Sequence, residues 1–425
     1  MNNAELLARR EHLLGKGAPL FYDEPVHLVR GEGVWLYAAD GKRYLDAYNN
    51  VPHVGHCHPH VVEALSRQAA TLNVHTRYLD ETILNYAERL CASFDDRLSS
   101  VLFVCTGSEA NDQALRLARH CTGGRGMICT DMTYHGNTTA VDEISPLFRR
   151  GRSLTPDVRT IPFPDSYRPL RGLAEPELAA AYADEVSRAI EGFAADGIPF
   201  AGMLVCPIFA NEGLPEVSPR FLAMAAERVR EAGGVFIADE VQSGFGRTGR
   251  MWGHEWSEVV PDIVTLGKPM GNGHPLAAVV ARRDLVDKFR AEVFYFNTFG
   301  GNPVSCAVGN AVLDVMERDH LVEHASRVGD FVRDGLLRLQ QSHPLIGDIR
   351  GKGLWIGVEL VRSSVTKEPA ADECRRIMNR MKEEGVLLGR IGPFDNVLKI
   401  RPPMVFSEEH AEILLDRLGT VLEEL

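Results

Sequence analysis

From about Leu98 the chain alternates short apolar runs with stretches of helical spacing. The runs are residues 101–105, 126–130, 202–206, 235–238, 263–266 and 277–281. Most are continuously apolar, as expected of strands covered on both faces. Strands interleaved with helices predict an α/β unit, a mainly parallel central sheet with helices on both faces. Ahead of it, residues 34–37 and 43–46 flank the turn pair Asp40-Gly41 and predict a hairpin. Residues 1–16 and 60–72 have helical spacing, whereas 152–176, rich in Pro, Arg and Gly, predict an irregular excursion. A helical pattern runs from Val304 to about Leu321. Beyond it, 353–360 and 397–400 predict strands of a smaller α+β domain, with a helix over 408–425 beside them.

A chain of 425 residues is too long for one simple core, so two domains are expected. The division expected is a large domain over 61–320 and a small one over 321–425, with the N-terminal segment 1–60 contributing to the small domain. Hydrophobic residues are 45% and charged residues 24%, a globular composition. The net charge of -12 argues against nucleic acid or an anionic membrane as the main partner, but leaves room for a local basic pocket. The eight cysteines show no CxxC spacing and read as free thiols in a reducing compartment. The N-terminus lacks the apolar core of a signal peptide, and no run approaches a membrane span, so a cytoplasmic location is expected.

Candidate chemistry sits at the ends of the apolar runs. Asp239 follows the run 235–238, Gln242 comes three residues later, and Gly267-Lys268 follows the run 263–266. A carboxylate and a lysine at neighbouring strand tips suit a pyridoxal phosphate enzyme. The lysine forms a Schiff base with the cofactor aldehyde, and the carboxylate keeps the ring nitrogen protonated. Taken singly, Asp239 also reads as a helix cap and Lys268 as a surface residue. In Thr106-Gly-Ser-Glu-Ala-Asn111, Gly107 permits a tight turn, Ser108 suits an N-cap, and free N–H groups at the helix start bind phosphate. A plain cap, with Glu109 favouring the helix dipole, explains the same residues. Tyr134 stands at the next strand tip, either to stack on a flat heterocycle or simply to pack. The Gly-rich loop from Phe296 to Pro303 either offers Thr298 to a phosphate or merely turns the chain. His53, His56, Cys57, His58 and His60 crowd together and suggest zinc. Neighbouring side chains point apart, however, and HExxH and CxxC spacings are missing, so no metal is expected.

Together these segments resemble the class III (ω-) aminotransferases, pyridoxal phosphate enzymes of fold type I. The likeness spans nearly the whole chain and includes Gly55-His-Cys-His-Pro59, Gly107-Ser-Glu-Ala-Asn111, Tyr134-His-Gly136, Asp239-Glu-Val-Gln242, Gly244-Phe-Gly-Arg247, Gly267-Lys268 and Thr298-Phe-Gly-Gly-Asn-Pro303. It implies pyridoxal 5'-phosphate on Lys268, Asp239 at the pyridine nitrogen, Gln242 at the ring hydroxyl and Tyr134 stacked on the ring. It further implies that Gly107 and Ser108 hold the phosphate, joined by Thr298 from the other subunit of a homodimer with shared active sites. Within the family, the segments 49–59, 73–79, 114–120, 296–308 and 398–404 are most similar to the branch of ethanolamine-phosphate and phosphohydroxylysine phospho-lyases. Family members that bind an α-carboxylate commonly carry arginine three residues before the Pro-Pro pair; here that residue is Lys399, with Arg401 just before Pro402. A lysine point charge suits a tetrahedral phosphate about as well as an arginine fork, which matches a planar carboxylate better. Arg77, Lys399 and Arg401 are therefore the candidate substrate cations, although Lys399 and Arg401 also fit a solvated strand. The function expected is a lyase acting on an aminoalkyl phosphate or a related anionic primary amine. An ω-aminotransferase serving a 2-oxo acid and a cofactor-binding protein without turnover are the alternatives.

Overall fold

The computed structural model describes residues 3–149 and 153–424. The hairpin at Asp40-Gly41 forms within an N-terminal sheet of β1 (Leu28–Glu32), β2 (Trp35–Ala38) and β3 (Arg43–Asp46), all antiparallel. Its turn needs Gly41 at φ +88°, where a side chain is strained, and Asp40 Oδ1 accepts the N–H of Lys42 at 2.9 Å.

The central sheet holds β4 (Leu98–Val104), β5 (Gly126–Thr130), β6 (Val158–Ile161), β7 (Phe200–Val205), β8 (Val235–Asp239), β9 (Ile263–Leu266) and β10 (Ala277–Arg282). Their order is β4-β10-β9-β8-β7-β5-β6. Every pairing from β9 to β6 is parallel, and only β10 runs against its two neighbours. All residues of β8 and β9 are buried, which is why those runs are continuously apolar. Side-chain alternation sends the two faces to different helices. Along β5, Met127 and Cys129 join the core under helix Gly107–Thr122, while Ile128 joins the core under helices Glu177–Ala195 and Pro219–Glu231.

One expectation for this region fails. The segment 152–176 is not wholly irregular: β6 extends the sheet edge beside β5. Its four residues, Val158-Arg-Thr-Ile161, bury only their two ends, so they carry no continuous apolar signal.

The C-terminal part adds β11 (Ile346–Lys352), β12 (Trp355–Leu360), β13 (Val386–Leu387), β14 (Gly389–Ile391) and β15 (Val397–Ile400). Four of these form an antiparallel sheet, β11-β12-β15-β14. The fifth, β13, instead pairs in parallel with β3, placing Val386 beside Leu45 and closing the N-terminal sheet with a strand from the other end of the chain. Helices Pro59–Thr71 and Glu408–Glu423 lie within one or two residues of their expected limits, and helix Asn3–Leu14 lies inside the expected 1–16. The pattern from Val304 resolves into Pro303–Arg318 and Leu321–Ser342, parted at His320, which is left-handed at φ +48°. Among the described residues no helix is long and apolar enough to cross a membrane.

Candidate active site

Because β10 is the only reversed strand, the carboxyl ends of β4, β5, β7, β8 and β9 share one edge, the usual place for ligands on such sheets. Five loops meet there around a cavity of about 120 Å³. Its walls are Thr106, Gly107 and Ser108 after β4; Tyr134, His135 and Gly136 after β5; Cys206 and Asn211 after β7; Asp239, Val241 and Gln242 after β8; and Lys268 after β9. The sequence candidates Lys268, Asp239, Gly107, Ser108, Tyr134 and Gln242 thus line one cavity.

Asp239 is clamped. Its Oδ2 accepts from His135 Nδ1 at 2.6 Å and from Asn111 Nδ2 at 3.0 Å, and its Oδ1 from the N–H of Val241 at 3.0 Å. A carboxylate only accepts, so Nδ1 of His135 carries a proton, and Nε2 lies 3.0 Å from the Thr133 hydroxyl. Asn111 is held in turn by Thr265 Oγ1 at 2.7 Å and donates to the His135 carbonyl at 2.7 Å. Asn111 and His135 were given no role on sequence grounds. Asn111 did carry a signal: it shares the buried face of its helix with Ala114, Leu115 and Ala118, where an amide needs partners.

The cap at the helix start differs from expectation. Thr106, not Ser108, is the N-cap, accepting from the N–H of Glu109 at 3.1 Å, while its carbonyl takes Ala110. Ser108 falls inside the first turn, and its Oγ accepts from the N–H of Asn137 at 3.2 Å. Among the described residues the N–H groups of Gly107 and Ser108 have no acceptor, and both residues face the cavity. The approach here is tight. A Cβ on Gly107 would come within 2.9 Å of Val241, and one on Gly136 within 2.5 Å of Ser108 Oγ. A backbone cradle at a helix start, a clamped carboxylate, a half-exposed aromatic and a lysine fit a phosphorylated pyridine aldehyde.

Lys268 stands where burial, reinforced by the positive charge of Arg401, brings its amine down to about 8. Behind the Gln242 wall lie two cationic residues at the end of β15, Lys399 on the strand and Arg401 just after it. Arg401 is buried and donates to Gln242 Oε1 at 2.5 Å and to the Tyr48 carbonyl at 2.9 Å. Lys399 is buried too, with its Nζ 5.3 Å from the Trp355 ring centre; Arg401 lies 5.0 Å from the same ring. These two are not on a solvated strand. Neither Tyr48 nor Trp355 was picked out from the sequence.

Two candidates lie elsewhere. Arg77 is exposed and stacks on Phe296 at 3.9 Å, and Thr298 is exposed in the same neighbourhood. Neither lines the cavity of its own chain, and nor do Lys399 and Arg401, of which Arg401 reaches its wall through Gln242. Three of the crowded histidines are engaged separately: His53 with the Phe245 carbonyl, His56 with Asp46 and His60 with Asp314. Among the described residues no group of three His, Cys, Asp or Glu is placed to hold a metal.

A mainly parallel sheet with a lysine and a clamped carboxylate at its carboxyl edge defines an α/β enzyme of the aminotransferase class. The sequence pattern of that group, described as aminotransferase class-III, matches residues 21–422, and the chain belongs to this family. It is 40% identical to the Drosophila melanogaster protein called alanine–glyoxylate aminotransferase 2-like, over 98% of this chain and 86% of that one. It is 38% identical to ethanolamine-phosphate phospho-lyase homolog 1 of Caenorhabditis elegans, over 98% and 93%. A solved phospholyase from Arthrobacter, in complex with phosphoethanolamine, superposes with a TM-score of 0.95 at 45% identity, covering 99% of this chain and 100% of that one.

Proposed function

We propose that the protein binds pyridoxal 5'-phosphate at this cavity and acts as a lyase on an aminoalkyl phosphate or a closely related anionic amine. The observation that carries the substrate class is the pair Lys399 and Arg401. A lysine and an arginine are buried beside the cavity, and the hydrogen bonds of Arg401 go to neutral oxygens, so its positive charge is left for a ligand. The names of the Caenorhabditis relative and the Arthrobacter structure point the same way.

When bound, the cofactor supplies a carbonyl that condenses with amines and a protonated ring that accepts the electron pair left when a neighbouring carbon loses its proton. The chain does the rest. Lys268 would hold the cofactor covalently and, once displaced by the substrate amine, take the proton from the carbon bearing nitrogen; an amine near 8 is partly neutral at physiological pH. Asp239 fixes the ring proton, with His135 and Asn111 fixing Asp239. The N–H groups of Gly107 and Ser108 would receive the cofactor phosphate, Tyr134 would pack on the ring, and Gln242 would hold the ring hydroxyl on one side and Arg401 on the other. A phosphate on the carbon next to the reacting one would leave with its C–O bonding pair while the pair from the lost proton forms the new carbon–carbon double bond, and water would then convert the released enamine to aldehyde and ammonia.

The partner we propose is a second copy of this chain. Leu72, Tyr78, Leu79, Phe294 and Phe299 are exposed, and His75 and Arg77 pack on Phe296, joining the two segments into one apolar surface around Thr298. That surface would put Thr298 and Arg77 at the partner's cavity.

The reaction is tested with the cofactor-loaded enzyme and single amines, without a keto acid. Steady release of ammonia and aldehyde from an aminoalkyl phosphate is expected. One stoichiometric half-reaction would establish the ω-aminotransferase alternative instead, and no turnover a binding protein.

A further inference from the structure

Lys399 is in an unusual position for a lysine. It sits in the middle of β15, opposite Gly357 on one side and Gly389 on the other, where its neighbours Leu398 and Ile400 are buried. Among the described residues its Nζ has no hydrogen-bond acceptor, and the face of Trp355 is its one favourable contact. The charged and titratable groups around it come from three parts of the fold. Arg401 follows on its own strand, Lys268 comes from the loop after β9, and Cys206 and Glu212 from the segment after β7. The two nearest influences are cations that repel a third charge. Cys206 does little to offset them, because burial drives its thiol upward and keeps it protonated. Glu212 already accepts from the Thr130 hydroxyl and the N–H of Asn211, and burial raises its carboxyl as well. Burial and the two cations together hold the Lys399 ammonium well below the ordinary lysine range.

Resting on the substrate class proposed above, we infer that Lys399 is a neutral amine in the resting enzyme and captures a proton when the dianionic end of the substrate enters. The charge then matches the ligand: Arg401 supplies one positive charge at rest, and Lys399 adds the second only when a dianion is present to stabilise it. The proton comes from solvent and stays on Nζ while the anion is bound; no covalent bond changes. Selectivity follows. A tetrahedral dianion recruits both charges, whereas a carboxylate, with one negative charge, gains little from protonating Lys399 beyond its contact with Arg401. An ammonium kept permanently in that place would repel Arg401 in every unliganded molecule. A conditional one avoids that cost.

The test uses the cofactor-loaded enzyme and ethyl phosphate, which has the anionic end but no amine and cannot react. At about pH 8 a phosphate monoester is almost wholly dianionic, its second ionisation lying near 6. Calorimetric titration in two buffers of different ionisation enthalpy gives the protons taken up per site. An uptake approaching one proton is expected in the wild type. Lys399→Arg, which keeps a charge at all times, is expected to bind ethyl phosphate with no uptake. Lys399→Met is expected to lose both the uptake and roughly ten- to hundredfold in affinity. The absorbance of the bound cofactor checks that each variant is folded. Binding by the wild type with no proton uptake overturns the inference and leaves the anion site standing. Uptake that persists in Lys399→Arg assigns the proton to another group and also overturns it. No binding of ethyl phosphate at all removes the anion site itself, and the inference with it.

Discussion

Arg401 and Gln242 are joined by a hydrogen bond of 2.5 Å, guanidinium to carboxamide oxygen, which ties the C-terminal sheet to the loop that follows Asp239. The cation proposed for the substrate and the residue proposed for the cofactor ring are therefore one mechanical unit. Gln242→Leu leaves a buried N–H of Arg401 without its acceptor, which costs about 1.5–3 kcal/mol. We expect KM for an aminoalkyl phosphate to rise roughly tenfold or more, with a much smaller change for a neutral amine of equal length. Equal effects on both substrates would place Gln242 outside the anion site.

Asp239 accepts three hydrogen bonds, and an amide in its place could accept them only in part. Asp239→Asn should keep the covalent lysine adduct, detected by borohydride trapping and mass spectrometry. It should lose about 10²–10³ in kcat because the ring proton is no longer fixed. His135→Ala, which removes only one of the three donors, should fall in between. Near-normal turnover by Asp239→Asn would contradict the assignment.

The titration of Lys268 makes a prediction about stability. In the cofactor-free protein its amine lies at about 8, against about 10.4 in an unfolded chain. Between those values the unfolded chain binds more protons, so this group makes stability increase with pH across the window. Below the window it costs roughly 3 kcal/mol. Lys268→Met should accordingly raise Tm at neutral pH and reduce the rise of Tm between about pH 8 and 10. Tm curves that run parallel for the two proteins would show that Lys268 is not lowered.

Thr298 and Lys268 offer a test of the second copy. Lys268→Ala and a disruptive Thr298→Trp variant should each be inactive alone. Mixed under conditions that allow subunit exchange, they should recover activity through hybrid sites. Full activity in a demonstrated monomer would eliminate the shared site.

What the sequence disclosed follows burial. The strand at 263–266 and that at 397–400 agree residue for residue with expectation, because all four residues of each are buried and three of the four are apolar, Thr265 and Lys399 being the exceptions. β6 and β11 escaped because each buries only its ends or one row of side chains, among Arg, Asp and Gly. The site divides in the same way. Residues directly after apolar runs, Asp239 and Lys268 above all, could be picked out by position. The clamp of Asn111 and His135 could not, since it joins helix and loop positions that are neighbours only in space. The Thr106 cap was missed because Ser and Thr are equally good caps and stand two residues apart.

The parallel pairing of β13 with β3 has a consequence for synthesis. The carbonyls of Ala47 and Tyr48, which receive the backbone and side chain of Arg401, follow directly on β3. They are made more than 350 residues before the arginine they bind. The central sheet can assemble while translation continues, but the anion-facing wall cannot close until its two distant strands meet. Such late, non-local closure is slow. A nascent chain would therefore complete its lysine edge before it can seat Arg401, so the selectivity proposed for this site would be acquired after the chemistry.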